Sequence, residues 1–406
     1  MFRSGPASIH PDSSSSRVQS GAPTDEDCIV MLQWMLRHDT TALQSKEEGF
    51  VELLAHYLSD FGIASQILQG DHGRANLVAS IESSQPGSHL VFCGHCDTVP
   101  LGDRSWSRVP FGAVIDGDRI YGRGSSDMKG GLAALIASFL DMRNNSDSWA
   151  GRISLAVTYG EETGSEGARR MAEDGSLGPF DAMVIAEPTL NKVVRSHKGA
   201  LWLSVTATGR TGHGSMPHMG LNALEMIVKF KERLSELNSL SACDPLLGKP
   251  TICLTQLHGG AQVNVIPDNA IAEFDMRTLP SQCHDKILAE IEAIARQVES
   301  DFTGGNLVVE IMNSLPALAT PVDSAIVCAA LETKRELGMD AGTAFGASYF
   351  TDGSVLQTLG SDILILGPGD PAEAHQTDEN LRLPHLFAAR LIFTGIARRI
   401  LASPDP

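Results

Sequence analysis

Five residues able to bind cations, His95, Asp127, Glu162, Glu187 and His375, restrict the fold of this 406-residue sequence more than any other feature. Each stands where a strand-like segment or a glycine-rich turn ends, far from the others along the chain. Two closely spaced divalent ions require carboxylates and imidazoles collected on one sheet edge. The pattern therefore points to a sheet whose strands end together and to a two-metal hydrolytic centre there. The run HLVFCGHCD (89–97) breaks at Gly94 and delivers His95 and Asp97 two positions apart. In an extended chain these side chains point the same way. One can bind metal while the other accepts the remaining imidazole N–H and fixes its tautomer.

The intervening sequence supplies such a sheet. Segments 25–38 and 46–61 carry apolar residues at helical spacings of three and four, and 130–144 is an apolar helix rich in Ala and Leu. Strand candidates fall at 76–81, 89–93, 152–159 and 180–186, the last two stopping at Glu161-Glu162 and at Glu187-Pro188. Together they predict an α/β sheet with helices covering its faces. Glu187 and His375 are separated by far more chain than any other neighbouring pair of candidates, and an inserted domain accounts for the gap. Inside it, strands at 201–209, 251–260, 270–279 and near 307–312 alternate with helices at 222–237 and 283–298. That is the β-α-β-β-α-β order of a split βαβ domain. Segments 323–337, 362–367 and 380–398 return the chain to the first domain. The expected division is a tail over 1–24, a metal-binding domain over 25–196 and 313–406, and an inserted domain over 197–312.

Composition removes several classes of function. Asp plus Glu number 49 against 31 Lys plus Arg, a formal net charge of −18, which repels nucleic acid and anionic membrane surfaces where no basic cluster intervenes. No such cluster is present, and no apolar stretch of about 18 residues is available to cross a bilayer. The first residues, rich in Ser and Pro, lack the apolar core of a signal peptide and are expected to form a mobile tail on a cytoplasmic protein. Seven cysteines, an odd number, fit reduced thiols better than a disulfide framework. Cys93 and Cys96 form a single C-x-x-C with no second pair to complete a structural zinc site. The motif leads into DTVP, whereas a redox dithiol opens a helix. A G-x-S-x-G elbow for serine hydrolysis is absent.

The remaining motifs add chemistry. IYGRGSSDMKGG (120–131) sets Asp127 in a glycine-rich turn before a helix, where its two oxygens can reach two ions or its carboxylate can cap the helix. Lys129 is followed by Gly130 and Gly131, not by Ser or Thr, so the turn is not a nucleotide-phosphate loop. Glu161 and Glu162 are adjacent and their side chains diverge, so one can bind metal while the other faces the attacking water. Spacing does not say which, but the chemistry needs a base that is not itself a ligand. Pro188 holds Glu187 extended. In the inserted segment His213 could hydrogen-bond a developing oxyanion, and Asn264 and Arg277 could bind a substrate amide oxygen or carboxylate.

HCDTVP (95–100), YGRGSSDMKGG (121–131), TYGEETGSEGA (158–168), IAEPT (185–189), GRTGHGSMP (209–217) and GPGDPAEAHQTDE (367–379) occur in one chain and in this order. Over residues 25–400 the sequence resembles the M20 family of metallopeptidases and amidohydrolases. That family contains acetylornithine deacetylase, succinyl-diaminopimelate desuccinylase, aminoacylase and glutamate carboxypeptidase. The resemblance implies a zinc-hydrolase α/β domain with a mixed sheet and flanking helices, interrupted by a smaller α+β lid or dimerisation domain. It implies that Asp127 bridges two Zn²⁺ ions, with Glu162 and His375 completing one site and His95 and Glu187 the other. Co²⁺ or Mn²⁺ would be possible substitutes. Glu161 would be the general base, Asp97 would support His95, and the Asp127–Met128 bond would be cis. In a homodimer His213 would reach the partner subunit's centre to steady the oxyanion, while Asn264 and Arg277 would contact substrate from the lid.

The implied reaction is hydrolysis of an amide bond in a small N-acyl amino acid, with metallocarboxypeptidase or dipeptidase activity on a short peptide as the rival. A non-catalytic relative would lack a metal ligand or Glu161, and none is missing. The stretch GASYFTDGS (346–354) is expected to supply a pocket wall through Tyr349, Thr351 and Ser354. Cys96 stands where the family often has a modest aliphatic residue, and alternation should turn its thiol away from His95 and Asp97.

Overall fold

The computed structural model describes residues 23–42, 46–360 and 362–402; residues 1–22 of the expected tail lie outside them. Two compact units emerge. One comprises Met1–Arg195, Thr320–Phe345 and Thr351–Pro406, and the other Ser196–Ala319 with Gly346–Phe350.

In the first unit a mixed sheet runs in the order Ser65–Gln69, Ala75–Glu82, Arg152–Thr158, His89–His95, Ala182–Ile185 and Ile363–Ile365. The first two pairings are antiparallel. From Arg152–Thr158 to Ile363–Ile365 the strands are parallel, with His95 opposite Thr158 and Cys93 opposite Ile185. Parallel strands deliver their carboxyl ends to one edge, so the loops after residues 95, 158, 185 and 365 open there together. Their interiors are buried runs of Leu, Val, Ile, Phe and Ala, as a sheet covered on both faces requires.

Helix Lys129–Asn144 is buried from Lys129 to Met142, because GGLAALIASFLDM has no polar stripe to offer solvent. It packs against Asp25–Arg37 and Leu383–Ile400. Its buried Lys129 donates from Nζ to the carbonyls of Met35 and His38, at 3.1 and 2.8 Å, satisfying acceptors at the end of Asp25–Arg37. Burial lowers this ammonium to about 8. Gly131 lies so close to the Ala186 carbonyl that a Cβ there would stand less than 3.0 Å from it. The helix can therefore approach the backbone next to Glu187 only through a glycine.

Sequence periodicity did not expose the Ser65–Gln69 edge strand or a small antiparallel sheet of Val114–Asp116, Arg119–Tyr121 and Asn380–Arg382. The latter strands have three residues each, too short for alternation to register. Yet this sheet places Asn380 opposite Tyr121 and so brings the segment after His375 beside the turn carrying Asp127.

The second unit has its own core. Strands Thr251–Gly259, Asn269–Thr278, Gly199–Thr208 and Asn306–Leu315 form an antiparallel sheet in that order, and Ala223–Leu234 and His284–Asp301 pack on it. Leu201, Leu203, Val205, Phe274 and Met276 alternate inward to meet Met226, Ile227, Phe230 and Ile291. Phe230 and Phe274 meet edge-on at 5.9 Å.

Gly131→Ala tests the close approach of helix and sheet. Alanine gains about 1 kcal/mol in helix propensity. The contact with the Ala186 carbonyl outweighs it, and overpacking should cost a net ~1–3 kcal/mol in a urea melt. A variant as stable as the parent would show that the helix relaxes freely.

Candidate metal centre

The carboxyl edge of the parallel strands gathers five of the expected residues. His95 ends its strand with its ring 1% exposed, and its Nε2 lies 3.2 Å from Asp127 Oδ1 and 3.7 Å from Glu187 Oε1. His375 Nε2 lies 3.3 Å from Asp127 Oδ2 and 3.1 Å from Glu162. The two oxygens of Asp127 thus face different imidazoles. Among the described residues, His95 with Glu161 and Glu187, and His95 with Asp127 and Glu162, each offer donor atoms within 4.8 Å of one another. Glu161 is therefore close enough to bind a cation as well as to act beside one. The Asp127–Met128 peptide is cis.

Asp97 does more than face His95. Its Oδ1 is 3.6 Å from His95 Nδ1, but that nitrogen is nearer the Asp97 carbonyl, at 3.0 Å. Its carboxylate instead accepts the backbone N–H groups of Glu161 and Glu162, at 3.3 and 3.2 Å. The chain folds back at this point, so backbone and carboxylate share the imidazole while the carboxylate also pins the glutamate pair. Cys96 is fully buried, belongs to neither donor group, and has its thiol pKa raised first by burial.

Nothing in the spacing points to Glu379, which is fully buried. Its carboxylate accepts the N–H groups of Gly124, Ser126 and Asp127 at 3.0, 2.8 and 3.0 Å, and Arg123 Nη1 at 2.5 Å. It therefore fixes the turn beneath Asp127. The only cue available was an acidic residue four positions after His375 in a segment already marked by its motif. No local pattern marks Asp352 either: it is buried, accepts from Thr158 Oγ1 at 2.5 Å, and its carboxyl pKa is pushed up to about 6, first by burial. Its neighbours Thr351 and Ser354 are likewise buried.

The electrostatics fit cations at this edge. Burial first, then Glu187, raises the Glu161 carboxyl well above its ordinary range. Burial, then Asp127, does the same to Glu187 and brings Glu162 to about 7. Burial also raises Asp127, but hydrogen bonds from His375 and His95 outweigh it and hold that carboxyl low. The same bonds, Asp127 first and Glu162 next, lift His375 to about 10. Glu187 Oε1 is buried without a hydrogen-bond partner among the described residues. Carboxylates packed this densely with imidazoles and a bare buried oxygen are what divalent cations compensate, and nitrogen and oxygen donors suit zinc, cobalt or manganese.

His213, Asn264 and Arg277 lie in the second unit. His213 pairs with Val265 across two short strands, its Nδ1 is 2.8 Å from Ser215 Oγ, and Gly214 N–H donates to the Asn264 carbonyl at 2.8 Å. Both His213 and Asn264 are exposed. Arg277 makes a two-pronged pair with Asp275, both bonds 2.9 Å, and lies over the Phe350 ring at 5.4 Å.

Comparison with known proteins agrees with this fold. The family described as Peptidase family M20/M25/M40 matches residues 91–399. A probable succinyl-diaminopimelate desuccinylase of Staphylococcus aureus (strain MRSA252) is 31% identical over 379 residues, covering 84% of this chain and 90% of that protein. An acetylornithine deacetylase of Aliivibrio fischeri (strain MJ11) is 31% identical over 345 residues, covering 83% and 88%. A tripeptidase from Staphylococcus aureus subsp. aureus Mu50 superposes with a TM-score of 0.76 at 23% identity, covering 93% of this chain and all of that one. The chain belongs to the M20 peptidase family. It is a metal-dependent amide hydrolase of a family that binds metal ions in pairs.

Two outcomes follow from this geometry. His375 enters the metal-free centre protonated, whereas a metal ligand must be neutral, so metal loading at pH 7 should release protons and affinity should rise with pH. Calorimetry of Zn²⁺ binding in buffers of different ionisation enthalpy reads the release directly; none would mean that His375 does not bind the ion. Glu379→Gln should weaken metal retention roughly 10–100-fold in equilibrium dialysis, the range for residues that orient ligands. Unchanged retention would show that the turn holds without the carboxylate.

Proposed function

We propose that this enzyme hydrolyses the amide bond of a small N-acyl amino acid, releasing a free amine and a carboxylate, with Glu161 as general base. The single observation that carries the proposal is Asp127 facing His95 through one oxygen and His375 through the other, beside a buried glutamate pair. In this reading His95, Glu187 and Asp127 hold one Zn²⁺, and His375, Glu162 and Asp127 hold the second, with Co²⁺ or Mn²⁺ able to substitute. When bound, such ions polarise the amide carbonyl and make water a nucleophile near neutral pH.

Glu161 takes the proton from the attacking water at a carboxylate oxygen and passes it to the departing nitrogen. Asp97, which accepts the N–H groups of Glu161 and Glu162, holds that carboxylate in register while also orienting His95. Arg277, whose guanidinium is oriented by Asp275, takes the substrate's free carboxylate, and Asn264 takes an amide oxygen. In a homodimer, His213 of the partner subunit donates to the oxyanion; the exposure of His213 supports that role. The 197–312 segment is assigned the part of lid and dimerisation domain, and the enzyme a cytoplasmic location. Among the described residues no helix is long and apolar enough to cross a membrane.

Deacylation is preferred because the two relatives 31% identical to this chain carry names describing acyl derivatives of amino acids. Carboxypeptidase or dipeptidase action is the second reading, favoured by the tripeptidase likeness. Release of free amine from a panel of N-acetyl, N-succinyl and N-aminoacyl amino acids, on metal-stripped protein with and without Zn²⁺, separates them. Zinc-dependent release from the acetyl or succinyl members alone is expected; release from the aminoacyl members alone would move the enzyme to the peptidases. Glu161→Gln should keep its metal by elemental analysis and lose roughly 10²–10⁴-fold in kcat. Near-normal kcat would remove Glu161 from the role of base.

A further inference from the structure

Glu161 and Glu162 sit on a turn that has little reason to be rigid on its own. Between Thr158 and Glu166 the backbone takes left-handed conformations at Gly160 (φ 67°), Gly164 (φ 120°) and Ser165 (φ 59°). Left-handed residues in a short glycine-bearing turn permit many alternatives. A base that must meet a water within hydrogen-bond reach cannot use a turn that wanders.

The neighbouring strand supplies the restraint. Asn76 Oδ1 accepts from Tyr159 N–H at 3.1 Å, and Asn76 Nδ2 donates to the Gly167 carbonyl at 2.8 Å. One buried side chain thus closes the segment at both ends, and Gly167 N–H adds a bond to the Tyr159 carbonyl at 3.0 Å. Arg74, two residues earlier and therefore on the same face of the chain, grips the rest. Its Nη1 donates to Glu166 at 2.6 Å, its Nη2 reaches Thr163 Oγ1 at 3.4 Å, and its guanidinium lies 4.8 Å from the Tyr159 ring centre. Its Nε donates to Glu47 at 3.1 Å, a fully buried carboxylate on a helix that does not enter the metal centre. Gly160 is packed so tightly on Arg74 that any Cβ would collide with the guanidinium. On the opposite side Asp97 accepts the N–H groups of Glu161 and Glu162.

We propose that Arg74 and Asn76 are positioning residues for catalysis: they clamp the 159–167 turn and so hold the Glu161 carboxylate in its working place. Neither touches a donor group of the metal centre; because Glu162 lies on the same turn, their effect on rate is read with Zn²⁺ in excess. The catalytic half of this proposal rests on Glu161 being the base. The fork of Arg74 is the part that lysine cannot reproduce, since one ammonium cannot reach Glu47, Thr163 and Glu166 together.

Arg74→Lys retains a cation against buried Glu47 and removes the fork. In the holoenzyme, hydrogen–deuterium exchange should rise at least about tenfold at the Glu161 and Glu162 amides while strand Arg152–Thr158 stays protected. With Zn²⁺ in excess, metal content should match the parent's, so that looser holding by Glu162 does not mask the loss of rate. On whichever N-acyl amino acid of the panel the parent cleaves, kcat should fall roughly 10–100-fold with KM within about twofold, the cost of misplacing a reacting group by an ångström. Unchanged exchange at Glu161 and Glu162 would overturn the clamp. If Arg74→Lys proves too unstable to purify, Thr163→Val with Glu166→Ala breaks the outer arm alone and must give the same exchange and kcat pattern. In a Glu161→Gln background Arg74→Lys should cost nothing further; a full additional loss would show that Arg74 acts elsewhere and overturn the proposal. Should Glu161→Gln itself retain turnover, the base assignment fails, and exchange still decides whether the clamp exists.

Discussion

Asp127 can offer one oxygen to each of two imidazoles because Glu379 holds the turn under it. A carboxylate taken entirely out of water is costly unless its lone pairs are filled. Here three backbone N–H groups and the Arg123 guanidinium fill them. The exchange is mutual, since those amides belong to a tight turn and would otherwise be unpaired. Because Glu379 follows His375 by four residues, the same bonds tie the His375 segment to the Asp127 turn. Gly369 completes the join by passing against the Ser126 carbonyl where no side chain fits. The segments that carry His375 and Asp127 are thereby one physical object.

Charge is arranged in layers around that object. At the centre, among the described residues, the ion pairs of Asp127, Glu162 and Glu187 are with imidazoles alone, and the carboxyls of Glu161, Glu162 and Glu187 are pushed upward by burial and by neighbouring carboxylates. One step outward the pairs are with guanidinium groups, Arg123 with Glu379 and Arg74 with Glu47. Arginine is suited to these positions because its planar fork satisfies several acceptors at once. The inner layer is left short of positive charge, and this shortage distinguishes a metal centre from a buried salt-bridge network.

The two units divide the work of folding. The second closes a four-stranded sheet over two helices with a core of its own, so its insertion between Arg195 and Thr320 does not interrupt the parallel strands. The first depends on a helix, Lys129–Asn144, that is apolar around its circumference and begins directly after Asp127. Burying that helix places the turn, and the turn places Asp127.

Much of this was legible in the residues. The five candidate cation-binding residues, the longer strands, the β-α-β-β-α-β order within 197–312 and the apolar helix all follow from local pattern, because strand and helix periodicity are properties of neighbouring residues. The short strands at 114–116, 119–121 and 380–382 were not legible, since three residues carry no period. Glu379, Asp352, Arg74 and Asn76 were not legible either, although each stood in plain view. Glu379 bonds to an amide 252 positions away and Asn76 to one 83 positions away, and no spacing rule reaches that far. The sequence by itself thus determined which chemical groups the enzyme owns and the local backbone that carries each. Tertiary structure alone decided which oxygen of Asp127 meets which imidazole, and which buried side chains hold the turns in place. Those are contacts through space between distant segments, and they exist only once the parallel strands have brought their ends to one edge.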